Sequence, residues 1–86
     1  MRRPRFTPEY ECFLARLRAA RQGKRVQQAE LGERLGIAQP YISRFERGET
    51  RMDVTQLYKY CDALDVSFLG FCKQLEGDFR KVSRKK

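Results

Sequence analysis

The chain has 86 residues and a formal net charge of +8, which suits one small domain with a polyanionic partner. It contains no histidine and no glycine-rich phosphate loop, and its three cysteines are widely spaced, so we expect no enzyme, no cofactor and no metal site. No apolar run is long enough to span a membrane, and the N-terminus lacks the hydrophobic region of a signal peptide, so we expect a cytoplasmic protein with no membrane partner.

The first predicted element is a helix from about Pro8 to Gln22 that ends near Gly23. Thr7 can cap its start, proline is tolerated in the first helical turn, and an acidic residue follows at the positive end of the helix dipole. The apolar residues that come next recur every three or four positions. This pattern predicts one amphipathic helix.

Two shorter helices are predicted next, at about 28–35 and 39–47. Each is followed by a glycine, Gly36 or Gly48, a residue that is common just past a helix end. The side chains expected to face the core are Ala29, Leu31 and Leu35 in the first of these helices and Ile42 and Phe45 in the second.

A fourth helix is expected after Asp53, because Gln56 follows three residues later as the reciprocal partner of a capping box. Ser67 can cap a fifth helix. The apolar stripes are Val54, Leu57, Cys61 and Leu64 in the fourth helix and Phe68, Phe71, Cys72, Leu75 and Phe79 in the fifth. All three cysteines fall among apolar residues, which is typical of buried thiols. No segment alternates as a strand does, so the predicted fold class is all-α, a compact bundle of five short helices.

The turn between the second and third helices has the residues that a close approach of two helices requires. Gly32 is small enough for the third helix to pack against the second, and Gly36 adopts a positive φ at little cost. Ile37 and Ile42 are expected to fill the space between the two helices.

The stretch from Gln28 to Gly48, QAELGERLGIAQPYISRFERG, resembles the lambda-repressor-like family, also called the Xre or Cro/C1 family. The likeness covers about residues 14–68. It implies a helix-turn-helix formed by helices 2 and 3, with helix 3 in the major groove of double-stranded DNA.

The resemblance also implies roles for individual side chains. Those on the base-reading face of helix 3 are Gln39, Pro40, Ser43 and Arg44. Those that bind DNA phosphates are Gln28, Tyr41, Arg47 and Arg51. The side-chain chemistry of Gln39 and Arg44 supports a base-reading role, because glutamine pairs bidentately with adenine and arginine with guanine. Two alternatives stay open: Arg44 contacts a phosphate instead, or Gln39 makes only a structural bond to Gln28.

Arg21 and Glu46 stand at positions that form an ion pair between helices 1 and 3 in some relatives, so the resemblance implies a structural pair here. Before helices 2 and 3, where the family usually has Ser or Thr, this chain has Gln27 and Ala38. We therefore expect both helices to begin without a side-chain cap. Pro40 partly offsets the loss, because it has no N–H that needs a partner.

Positive charge is unevenly distributed along the chain. We expect a basic N-terminal arm at 1–7, the helix-turn-helix domain at 8–79 and a basic C-terminal tail at 80–86. The two ends together carry as much positive charge as the net +8 of the whole chain. Residues 16–51 contain nine basic and four acidic side chains, whereas 52–79 contain two basic and five acidic ones. This distribution of positive charge suits binding to DNA. In many proteins, however, basic tails do no more than keep the protein soluble.

The sequence therefore predicts a transcriptional regulator, in particular a repressor that binds a palindromic operator as a homodimer. The fifth helix has more apolar side chains than a short terminal helix needs for packing within the monomer. Some of them are therefore available for a two-fold interface. The alternative is that all of them close the monomer core. One alternative is an antitoxin or adaptor in which DNA binding is secondary and a protein partner binds the C-terminal helix or tail. Another is non-specific DNA compaction by the basic tails.

Overall fold

The computed structural model describes residues 6–83, so most of the predicted arm and the end of the predicted tail, at 1–5 and 84–86, lie outside the described residues. The helices are α1 (Pro8–Gly23), α2 (Gln28–Leu35), α3 (Gln39–Arg47), α4 (Val54–Ala63) and α5 (Phe68–Ser83), with no strand among the described residues. The predicted all-α class and all five predicted helices are confirmed. Within this part of the chain, no helix is long and apolar enough to cross a membrane, and no cluster of acidic or sulfur ligands could hold a metal ion.

Side chains cap three of the helix starts. Thr7 Oγ1 accepts a hydrogen bond from the backbone N–H three residues later, at 3.1 Å, and Ser67 Oγ does the same for α5, at 2.9 Å. Asp53 and Gln56 form the predicted capping box, with both reciprocal bonds at 2.8 Å. At the starts of α2 and α3, which the structure describes fully, no side chain provides a cap bond, as predicted.

The core lies between α1, α4 and α5 and extends to α2 and α3. Its buried apolar side chains are Phe13, Leu14, Leu17, Val26, Leu31, Ile42, Phe45, Leu57, Tyr60, Cys61, Leu64, Phe71 and Leu75. α1 packs extensively on α5, where Phe13 meets Phe71 edge-on with ring centres 6.4 Å apart. Beside this contact, Arg16 donates hydrogen bonds to both carboxylate oxygens of Asp78, at 2.8 and 2.7 Å. The first and last helices thus hold each other in place.

Some side chains predicted to face the core do not. Val54 is 67% exposed, because the first turn of α4 borders an open cleft beside Phe79 and does not pack under a neighbouring helix. Ala29 is exposed, whereas Leu35 is half-buried and does pack against the core, as predicted. Ile37 is 37% exposed and lines a surface groove, whereas Ile42 is fully buried. The predictions for Val54 and Ala29 were wrong because a stripe of apolar residues does not show where the neighbouring helix ends.

α5 continues to Ser83, past the predicted start of the tail at residue 80. Basic side chains are favourable near the negative end of a helix dipole, and Arg80 pairs with Glu76 one turn earlier, at 2.9 Å. Ser83 Oγ also donates a hydrogen bond to Glu9 on α1, at 2.7 Å. The first residues of the predicted tail therefore extend the helical domain.

The three cysteines are free thiols with different burial. Cys61 is fully buried in the core, whereas Cys12 and Cys72 are half-buried. Burial, with a smaller contribution from the neighbouring Cys72, raises the pKa of Cys61 to about 11. Cys61 is therefore a neutral core thiol, and the prediction of buried thiols holds fully for this cysteine alone.

Candidate nucleic-acid interface

A tight turn between α2 and α3 fixes how α3 is presented. α2 ends at Gly36, whose φ of 75° lies in the left-handed region where glycine is not strained. The N–H of Ile37 then donates to the carbonyl of Gly32, at 2.9 Å. A Cβ added at Gly32 would lie 2.6 Å from the carbonyl oxygen of Ile37, so a larger residue would force the turn to shift. The small residue predicted at position 32 is therefore required by the geometry.

α3 has one buried side and one open side. Ile42, Phe45 and Glu46 are buried against the rest of the domain. The predicted base-reading residues lie on the other side, where Gln39, Pro40 and Arg44 are exposed and Ser43 is partly exposed. Positions four residues apart share a helix face, so these side chains form one continuous surface. The open side of α3 therefore presents hydrogen-bond donors and acceptors, while its buried side is packed against the rest of the domain.

The predicted phosphate-binding residues flank this open side. Tyr41, Arg47 and Arg51 are exposed, and Gln28 is partly exposed. The guanidinium of Arg44 lies 5.4 Å from the ring centre of Tyr41, and that of Arg51 lies 4.4 Å from the ring centre of Tyr10. At these distances a ring face attracts a cation while the guanidinium edge can still donate hydrogen bonds.

Arg47 is already engaged within the chain. Its Nε and Nη2 donate to the carboxylate of Glu49, at 2.9 and 3.0 Å, and its Nη1 donates to Ser43 Oγ. The Glu49 carboxylate raises the pKa of Arg47. A phosphate must therefore compete with Glu49 for this guanidinium. Since Ser43 Oγ accepts from Arg47, its hydroxyl hydrogen is left to donate elsewhere.

Glu46 is a charged side chain that is only 1% exposed, and donors from three other helices surround it. Arg21 donates from Nε to Oε2 at 2.7 Å and from Nη2 to Oε1 at 2.9 Å, which forms the ion pair between α1 and α3 that the resemblance implies. Tyr60 on α4 donates from Oη to Oε2 at 2.6 Å, and Gln28 on α2 donates from Nε2 to Oε1 at 3.0 Å. Each carboxylate oxygen thus accepts two hydrogen bonds.

The protonation states of this network follow from its contacts. Burial on its own would raise the pKa of Glu46, but hydrogen bonds from Arg21, Tyr60 and Gln28 outweigh it and hold the pKa below its ordinary value of 4.5. Burial first, and then the bond to Glu46, raise the pKa of Tyr60. At neutral pH Glu46 is therefore an ionised acceptor and Tyr60 a neutral donor.

The bonds of Gln28, Tyr60 and Arg18 to Glu46 were not predicted from the sequence. Tyr60 was left out of the predicted stripe of α4, although it lies three residues after Leu57 and four before Leu64, which is the spacing of a buried helix face. Arg18 donates from Nη1 to the backbone carbonyl of Glu46, at 2.9 Å, near the C-terminal end of α3. No local pattern could indicate this bond, because its partner lies on another helix.

Gln28 and Gln39 are joined directly. Gln39 Nε2 donates to Gln28 Oε1, at 2.6 Å, so the structural bond that the sequence left open is present. Gln39 is nonetheless exposed, and its amide retains one N–H and its oxygen. The bond to Gln28 and a contact to a base are therefore compatible.

The geometry is that of a helix-turn-helix, and comparison with known proteins places the chain in a family. A family model described as Helix-turn-helix matches residues 17–71. The chain belongs to the XRE-type helix-turn-helix family, which confirms the family predicted from residues 28–48. Proteins of this family are DNA-binding regulators and not enzymes.

Individual relatives agree with this assignment. A solved XRE-family-like protein from Pseudomonas syringae pv. tomato has a similar structure, with a TM-score of 0.75 and 30% sequence identity over 80% of this chain and 86% of that chain. Two HTH-type transcriptional regulators of Sinorhizobium fredii are similar in sequence, one 34% identical over 84% of this chain and the other 28% identical over 80%. The aligned part of this chain spans 37% and 48% of the length of these two relatives.

Proposed function

We propose that the chain is a sequence-specific DNA-binding transcription regulator that places α3 in the major groove. The observation that carries the proposal is the two-sided character of α3, which exposes Gln39, Ser43 and Arg44 while its other side is buried around Glu46. An α-helix fits the width of the major groove, and amide, hydroxyl and guanidinium groups are the side chains that discriminate base edges there.

The charge of the surrounding residues supports the same function. Residues 16–51, which include α2 and α3, contain five more basic than acidic side chains. Contacts from such side chains to phosphates supply much of the affinity of DNA-binding proteins and position the reading helix. Arg51 lies just beyond α3, with its guanidinium held over the ring of Tyr10. A phosphate contact at Arg51 would therefore set the depth of α3 in the groove.

We also propose that the regulator is a homodimer on a palindromic operator. A single α3 reads few base pairs, and two-fold dimers of helix-turn-helix proteins read two half-sites one helical turn apart. The α4–α5 patch, formed by Tyr58, Phe68 and Leu69, supports a two-fold interface. Leu69 is 73% exposed, Tyr58 is 54% exposed, and the Tyr58 and Phe68 rings meet edge-on with their centres 5.8 Å apart. A dimer seated on such an operator excludes other proteins from that DNA, which favours repression.

Selection from a random pool of duplex DNA at moderate salt tests this function. We expect the wild-type chain to enrich an inverted repeat whose half-sites are about 10 base pairs apart, centre to centre. A double variant, Gln39→Ala with Arg44→Ala, is the matched control. It removes two exposed side chains, so it should remain folded and lose the enrichment. Binding by the folded wild-type chain without an enriched motif would contradict the proposal and favour non-specific compaction.

The α4–α5 patch also favours a second candidate function, that of an antitoxin or adaptor. In that case the occupant of the patch is a different protein, and DNA binding is secondary. The double variant at Gln39 and Arg44 discriminates the two functions. A regulator loses its DNA-dependent activity in this variant, whereas an adaptor retains full binding of its protein partner.

A further inference from the structure

We propose that Glu46 determines which base Gln39 recognises, because it fixes the orientation of the Gln28 amide that lies between them. Glu46 is then a positioning residue that acts on specificity from the protein interior. The inference rests on the proposed DNA-binding function and deepens it.

The first step is the contact between Glu46 and Gln28. An ionised carboxylate can only accept hydrogen bonds, so any amide that faces it must present its NH2 group. Gln28 does so, with Nε2 3.0 Å from Glu46 Oε1. If the Gln28 amide turned by half a rotation, its oxygen would face a buried, negatively charged oxygen. The surroundings of Glu46 therefore allow one orientation of the Gln28 amide.

The second step carries this orientation to the surface. With its NH2 group towards Glu46, Gln28 directs Oε1 towards α3, where it accepts a hydrogen bond from Gln39 Nε2 at 2.6 Å. Gln39 must in turn present its NH2 group to Gln28. The orientation of an exposed amide is thus set by a carboxylate that is 1% exposed.

The third step is the chemistry that Gln39 can offer to DNA. Once one N–H is bound to Gln28, the amide retains one donor and one acceptor. Adenine presents the complementary pair in the major groove, an N7 acceptor and an N6 donor. Guanine presents two acceptors, N7 and O6, so one of them would face the oxygen of Gln39. Without the constraint from Gln28, the amide could rotate and offer its N–H groups to guanine. Glu46 therefore restricts Gln39 to adenine.

The test is a set of parallel selections from a random pool of duplex DNA. Comparing the wild-type chain with Gln39→Ala identifies the base pair that depends on Gln39. At this base pair we expect adenine to be preferred over guanine in the wild type. We expect Gln28→Ala to lower the adenine-to-guanine ratio by about 5- to 150-fold, the range that one bidentate base contact supplies. Loss of a phosphate contact at Gln28 would weaken binding to all sequences alike, so this effect would cancel in the ratio.

Two variants address Glu46 itself. Glu46→Gln supplies an NH2 group to the network, so both orientations of the Gln28 amide become possible and the ratio should fall as in Gln28→Ala. Tyr60→Phe is the matched control, because Tyr60 bonds to the other carboxylate oxygen, Oε2, and the bond from Gln28 to Oε1 remains. It should lower stability and leave the ratio unchanged. Circular dichroism checks folding. An unchanged ratio in folded Glu46→Gln refutes the role of Glu46, and if that variant does not fold, an unchanged ratio in Gln28→Ala still refutes it.

The outcomes separate the two proposals. If the wild-type chain enriches a motif but Gln28→Ala leaves the adenine-to-guanine ratio unchanged, the role of Glu46 is refuted while the DNA-binding function stands. A wild-type preference for guanine at the base pair that depends on Gln39 refutes it equally. If the wild-type chain enriches no motif, the proposed function itself fails.

Discussion

The hydroxyl of Tyr60 donates a hydrogen bond to Oε2 of Glu46 at 2.6 Å, and both side chains are buried. A buried carboxylate destabilises a fold unless donors surround it. Here the donors come from α1, α2 and α4, so one side chain of α3 is bonded to three other helices. The position of α3, and with it the surface offered to DNA, depends on this carboxylate.

Replacing Tyr60 with Phe should lower the free energy of unfolding by about 1.5–3 kcal/mol, the usual contribution of a hydrogen bond to a charged group. Urea unfolding of the purified variant measures this change. Tyr58→Phe is the matched control on the same helix. Tyr58 is 54% exposed and its ring contact with Phe68 survives the substitution, so its effect should stay within about 0.5 kcal/mol. Equal effects of the two substitutions would show that the hydroxyl of Tyr60 is not a special donor.

The cost of Tyr60→Phe should depend on pH. The pKa of Glu46 is lowered in the folded state, so its contribution to stability is fully present above its ordinary pKa of 4.5 and is lost as the pH falls through the folded value. The difference in unfolding free energy between wild type and Tyr60→Phe should therefore be constant from about pH 7 to 5 and shrink at lower pH. Urea unfolding at a series of pH values measures it. A difference that does not shrink anywhere on the acidic side, down to the pH at which the wild type itself unfolds, would contradict the role of the ionised carboxylate.

Gly32→Ala should destabilise the domain by about 1–3 kcal/mol, because the new Cβ would lie 2.6 Å from a backbone oxygen of the turn. Gly77→Ala on α5 provides the opposite control, since a Cβ there meets no described atom within 4 Å. That substitution should stabilise the helix by up to about 1 kcal/mol. Thermal unfolding of both variants measures the contrast, and a neutral or stabilising Gly32→Ala would refute the tight approach of α2 and α3.

Arg44 and Arg51 should affect DNA binding in different ways. Arg44→Ala should weaken binding to the selected operator by about 1–3 kcal/mol and relax the preference at one base pair. Arg51→Ala should weaken binding to all sequences alike and reduce the slope of log affinity against log salt concentration by about one. Fluorescence anisotropy at several salt concentrations, with matched and mismatched duplexes, distinguishes the two. If Arg44→Ala behaves as Arg51→Ala does, Arg44 is a phosphate contact.

Leu69→Glu should disrupt the proposed dimer and leave the monomer folded, because this side chain is 73% exposed in the monomer. We expect the dimer dissociation constant to rise more than about tenfold, since a charge replaces an apolar side chain on both sides of a two-fold interface. Lys81→Gln on the same helix changes the net charge by the same amount and should have little effect. Sedimentation equilibrium measures both. A wild-type chain that is monomeric both free and on DNA would rule out the dimer.

Local sequence patterns were sufficient for the helices of this protein. Glycines past the ends of α2 and α3 and the capping box at Asp53 and Gln56 are short-range signals, and the structure has all of them. The Arg21–Glu46 pair joins two helices, and it was accessible only through the family resemblance. The assignment of bases and phosphates to individual side chains stays a prediction.

Contacts across the bundle could not be predicted in the same way. The Arg16–Asp78 pair joins residues that are 62 positions apart, and neither position has a local signal for it. Val54 shows the converse error, because its spacing fits the buried stripe of α4 but none of the described helices covers the first turn. The bond from Gln28 to Glu46 was also missed, since it needs the side chains of two different helices, α2 and α3, in fixed positions. Helical periodicity gives the face of a helix and says nothing about what lies opposite.

The packing of α1 on α5 has a consequence for the order in which the protein is made. The ribosome synthesises α1, α2 and α3 before Phe71 and Leu75 of α5, yet these two side chains complete the core that Phe13 belongs to. A nascent chain therefore contains the helix-turn-helix before it can shield its own apolar residues. Folding of this domain is expected to be completed after most of it has left the ribosome, when α5 closes over α1.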